Sequence, residues 1–100
     1  MEYKKIEQLV YNNNLINRKD FNSRYAYNLE MDKLIIENLI RCINNNIKLE
    51  IDEVEFAKIY KIYLKLLKRN YPIDINFILS ITKLSTKNLD YLGIIQEITE

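Results

Sequence analysis

One glycine, Gly93, and one proline, Pro72, are the only backbone punctuation in 100 residues. Tight turns between strands draw on glycine for positive φ and on proline for fixed φ, so a chain with one of each cannot supply the hairpins of a sheet fold. A helical fold makes no such demand, and the apolar residues recur with its period. Tyr3, Ile6, Leu9 and Val10 are spaced by threes and fours, and Asn12-Asn13-Asn14 stops the pattern. That predicts a short first helix with a polar end.

Residues 15 to 28 leave two readings open. Leu15, Ile16, Phe21, Tyr25 and Tyr27 fit either one or two more helical turns or an aromatic-anchored loop. From about Asn28 to Asn44, Leu29, Ile35, Ile36, Leu39, Ile40 and Ile43 share about half of a helical wheel, and Glu30, Lys33, Glu37 and Arg41 take the other half. This is an amphipathic helix, ended by Asn44-Asn45-Asn46. Residues 47 to 51 alternate briefly and predict a short extended connection. Asp52 and Glu55 then form a capping-box pair, with Ile51 and Phe56 as the hydrophobic staple of a helix from 53 to about 69. Pro72 blocks continuation. Asp74, with Ile73 and Ile78, and Ser85, with Leu84 and Leu89, predict the starts of two more helices. The expected fold is all-α: a small four- to five-helix bundle forming one domain over residues 1–100, with 48% apolar residues to close its core.

Apolar runs such as Leu34-Ile35-Ile36 are far shorter than the roughly 20 residues of a membrane span. The start, Met1-Glu2-Tyr3-Lys4-Lys5, does not resemble a secretory signal. Cys42 is the only cysteine and lies within a helical apolar pattern, which predicts a buried structural thiol and suits a reducing compartment. A cytoplasmic location is the expectation.

The chain has no histidine, the commonest general base and transition-metal ligand. Neither a zinc site nor a glycine-rich phosphate loop is expected, and no cofactor is predicted. The acidic run Glu50, Asp52, Glu53 and Glu55 lacks the spacing of an EF-hand loop, and its place at a helix start assigns it to capping and dipole stabilisation. The chain does not read as an enzyme.

Charge is distributed unevenly around a net of +1. Residues 26 to 57 carry seven acids against three bases, whereas 58 to 70 carry five bases and no acid. Lys58, Lys61, Lys65, Lys68 and Arg69 lie within an arc of about 100° on the third helix, with Ile59, Ile62, Tyr63, Leu66 and Leu67 facing elsewhere. Tyr60, Tyr63 and Tyr71 accompany them. Basic and aromatic side chains together are enriched at protein interfaces and in single-stranded nucleic-acid grooves. The candidate partner-binding residues are therefore Lys58, Lys61, Lys65, Lys68, Arg69, Tyr60 and Tyr71. Two ordinary readings compete: a solvated face made lysine-rich by codon bias, since Ile, Asn and Lys supply 17, 13 and 11 residues, and tyrosines that complete the edge of the core.

Residues 74 to 98 have a helix-turn-helix outline, but the turn lacks glycine and the second helix sets Lys87 against Asp90 and Glu97, a poor phosphate-facing surface. The stretch Ile62 to Tyr71, with Asp74 and Ile78, loosely resembles the third-helix region of helical bacteriocin immunity proteins, without a diagnostic motif. Ser23 to Asn28 is similar to the inhibitory helix of antitoxins that block Fic enzymes, but Tyr27 replaces the glutamate that mechanism needs. The function expected is a non-enzymatic protein-binding module: an inhibitor, immunity or antitoxin-like factor of a phage or mobile element, with anti-CRISPR proteins as one example, acting on a larger protein such as a nucleic-acid-processing complex. Direct but weak nucleic-acid binding by the basic helix face is the alternative, and a structural subunit of an assembly, including a homo-oligomer, is the third.

Overall fold

Local signals account for most helix ends in the structure, a computed structural model that describes residues 1–12, 19 and 22–99. Among them are five helices: α1 (Tyr3–Asn12), α2 (Arg24–Asn44), α3 (Glu53–Lys68), α4 (Phe77–Leu84) and α5 (Tyr91–Thr99). The fold is the all-α bundle expected. In α1, Tyr3, Ile6 and Val10 are buried, but Leu9, assigned to the same face, is exposed. The ambiguous stretch resolves in part. Ser23 caps α2 by accepting from the Ala26 amide, so this helix starts four residues before Asn28. Leu15, Ile16 and Phe21 lie outside the described residues.

The capping box at α3 forms as predicted: Asp52 Oδ1 accepts from the Glu55 amide at 2.8 Å, and Glu55 Oε1 from the Asp52 amide at 3.0 Å. Two other predicted starts are corrected. Asp74 Oδ1 accepts from the Asn76 amide and closes an Asx turn, so α4 begins later, at Phe77. Ser85 likewise turns back on the Lys87 amide, and Asp90 takes the capping role at α5 by accepting from the Gly93 amide. In each case a short polar side chain bonds two residues ahead instead of three, which makes a turn and not a helix start.

Helices α2 and α3 end alike. The Ile47 amide reaches Cys42 O and the Asn46 amide reaches Ile43 O; the Tyr71 amide reaches Leu66 O and the Asn70 amide reaches Leu67 O. These are Schellman motifs, and they need a left-handed residue, supplied by Asn46 at φ 53° and Asn70 at φ 58°. Asn70→Ala should therefore cost about 1 kcal/mol relative to Asn70→Gly, lowering the melting midpoint by about 4–8 °C. Valine tolerated at residue 70 as well as glycine in thermal melts would refute this account.

The expected connection over 47–51 is extended, and it ties the bundle's ends together. Glu50 pairs with the N-terminus, through Tyr3 N to Glu50 O and Glu50 N to Met1 O, while Leu49 exchanges bonds with Leu84 and Thr86. Its alternation buries Leu49 and Ile51 and exposes Glu50. Helix α2 packs on α1, α3 and α4, and α5 packs on α3. The Phe56 ring meets Tyr91 edge-on at 4.8 Å, and Tyr63 stacks on Phe77 at 5.7 Å. Helix α4 packs on α2 and α5 on α3, with residues 85–90 between the two helices of the helix-turn-helix outline. Among the described residues, no helix is long and apolar enough to cross a membrane.

Candidate partner-binding groove beside helix α3

Helix α3 carries acids, Glu53 and Glu55, in its first turn and bases, Lys65 and Lys68, in its last. Both sets complement the helix dipole, which accounts for part of the charge gradient seen in the sequence. The candidate residues fall into three groups.

Lys58 and Lys65 are already paired. Lys65 Nζ contacts Asp32 Oδ2, and Lys58 lies 4.0 Å from Glu7. Asp32 sits on the buried side of α2 with only 9% of its surface exposed, so the pair joins α2 to α3 from the edge of the core. Arg69 is turned back on the bundle: its guanidinium lies 5.0 Å from the Tyr25 ring and donates to Lys65 O. The contacts Tyr25–Arg69 and Asp32–Lys65 make α2 and α3 antiparallel.

Tyr60 and Tyr71 do not join the lysines at the surface. Tyr60 is 9% exposed and packs beside Tyr63 in the core. The left-handed turn at Asn70 folds Tyr71 against α2, where its hydroxyl donates to Glu37 at 3.2 Å and its ring lies under Lys33. Burial, and then the Glu37 carboxylate, push its hydroxyl pKa up.

Lys61 and Lys68 remain. Both are exposed, neither forms an ion pair among the described residues, and seven residues of separation put them on one face about 10 Å apart. Val54, a further seven residues back, is 66% exposed on the same line.

Lys58, Lys61, Ile62 and Lys65 form one wall of an open groove of about 380 Å³. Asp32 and Ile35 of α2 face them, and Tyr3, Glu7 and Tyr11 of α1 complete the lining. The Tyr3 hydroxyl is bonded to Glu7, and burial followed by that carboxylate raises its pKa far above the tyrosine range. Burial also raises Tyr11, with Asp32 and Glu7 adding to the shift, so its hydroxyl is a neutral donor. Sequence reasoning missed Asp32, Glu7 and Tyr11. For Asp32 a signal existed: it is an acid among Met31, Ile35 and Ile36 on an otherwise apolar face. Glu7 and Tyr11 reach α3 only because α1 packs on α2.

Elsewhere, Cys42 is 4% exposed and burial pushes its thiol pKa up, opposite to what a reactive thiolate needs. In the acidic run, Asp52 and Glu55 are engaged in the capping box. No group of three metal-ligating side chains occurs among the described residues. No protein-family model, curated protein or solved structure matches this chain.

Proposed function

We propose that this protein is a non-enzymatic binding module that docks the outward face of α3 and its adjoining groove onto an acidic surface of a larger protein. The observation that carries this reading is the mixed character of the face. Val54, Lys61 and Lys68 stand exposed in one line, with half-buried Ala57 and Leu64 between them. Apolar and basic groups together suit a protein interface; a phosphate-tracking surface would keep its cations free. Here two of the stripe's five bases are held by carboxylates and Arg69 lies over Tyr25. Inhibition of the captured partner, in the manner of an immunity, antitoxin or anti-CRISPR protein, is the form of action that this face favours.

The test is charge reversal at Lys61 and Lys68, because reversal at Lys65 would also attack the Asp32 pair. Lys61→Glu with Lys68→Glu should change stability by no more than about 0.5 kcal/mol per site. It should abolish capture of an acidic protein that the wild type retains from its native host. Binding to generic DNA or RNA should be weak at physiological salt. Tight oligonucleotide binding that falls steeply with salt and is lost in the double variant would place the nucleic-acid reading first.

A further inference from the structure

We infer that the groove between α1, α2 and α3 is an anchor pocket for a single carboxylate side chain of the acidic partner, held by the Lys61 ammonium and the Tyr11 hydroxyl. The inference rests on the proposed docking face and assigns the contact at its centre. Among the described residues, Lys61 lines the groove without an ion pair and the Tyr11 hydroxyl lines it without a hydrogen-bond acceptor. Two donors thus share one concavity with no acceptor of their own among the described residues, and Ile35 and Ile62 offer apolar surface to the stem of an entering side chain.

Charge selects the ligand. The groove holds three lysines and two acids, Glu7 and Asp32, each acid already paired with a lysine. One positive charge is left over. A monovalent carboxylate balances it, whereas a phosphate dianion would place its second charge against Glu7 and Asp32, and a phosphate chain would meet the same two carboxylates along the groove. Tyr11 keeps its proton across neutral pH, so its hydroxyl donates to an incoming oxygen.

The test titrates the isotope-labelled protein with a glutamate-only peptide while following its backbone resonances, and repeats this with inorganic phosphate. The expected result is saturable shifts centred on Tyr11, Lys61 and Ile62. Lys61→Met should weaken binding about tenfold, and Tyr11→Phe, which leaves every charge in place, severalfold. Unchanged peptide affinity in both variants, shifts confined to the Lys68 end of α3, or phosphate binding as tightly as the peptide would each overturn the assignment. The two proposals separate cleanly. If Lys61→Glu with Lys68→Glu abolishes partner capture while Tyr11→Phe and Lys61→Met capture it as well as wild type, the docking face stands and the anchor pocket falls. If the charge reversal leaves capture intact, the docking face falls first.

Discussion

Raising the pH above about 10 should destabilise this protein and unfold it cooperatively. Tyr3 and Tyr63 are 1% and 9% exposed, and burial raises both hydroxyl pKa values. Glu7 adds to the shift at Tyr3, and Tyr60 and Asp74 at Tyr63. In the unfolded chain both ionise near about 10, while in the fold both hold their protons to higher pH. The unfolded state therefore binds fewer protons above that pH, so stability is fully present below it and falls as pH rises toward the folded values. A buried tyrosine that keeps its proton in the fold contributes a slope of up to about 1.4 kcal/mol per pH unit, against a total of about 5–15 kcal/mol for a domain of this size. Tyr11 and Tyr71 are shifted the same way, but their exposure screens the effect. Helical circular dichroism and tyrosinate absorbance should change together, and Tyr3→Phe should move the transition to higher pH. Tyrosines that all titrate near 10 while helicity persists would show that burial does not control their ionisation.

The second large effect is expected at Lys65. Removing one partner of a fully buried ion pair costs about 3–5 kcal/mol, because the remaining charge has lost its solvent and its counter-charge. Asp32 is nearly buried but the Lys65 side chain is 35% exposed, so water reaches the pair and Lys65→Met should cost about 1–3 kcal/mol. Lys65→Glu should cost more, since it sets a second carboxylate against the first. Adding Asp32→Leu to Lys65→Met should recover most of the loss, as replacement of whole buried pairs by apolar residues often does. Chemical denaturation of the four proteins, with Lys61→Glu as the exposed control, reads this directly. Equal destabilisation by Lys61→Glu and Lys65→Glu would mean that Asp32 gains nothing from its partner.

The Lys65 result also bears on function. On a helical wheel Lys61 and Lys65 are equivalent members of one basic stripe. In the fold, one faces solvent and the other closes a contact with a residue 33 positions away. Only the exposed lysines are available to a partner without disturbing the bundle.

The signals legible in the chain alone were those set within about four residues that admit a single local structure. Helical spacing placed the helices, the Asp52–Glu55 box placed the start of α3, Asn44-Asn45-Asn46 marked the end of α2 and Pro72 the limit of α3, and the left-handed Asn46 and Asn70 make those ends in the fold. These signals are complete in the local chain, because cap bonds and i, i+4 contacts involve no other element. Local signals were insufficient where one side chain can serve two turns. Asp74 and Ser85 have the chemistry of caps, yet each closes a turn, and α4 and α5 begin where Phe77 and Tyr91 find Tyr63 and Phe56 to pack against. Tyr60, Leu9 and Lys65 make the same point for burial. Periodicity says which residues share a face but not which faces meet, and that choice belongs to the tertiary packing of α2 on α1 and α3. The same packing brings Glu7, Tyr11, Asp32 and Lys61 around one groove, since only the burial of apolar surface between distant segments joins residues that have no contact along the chain.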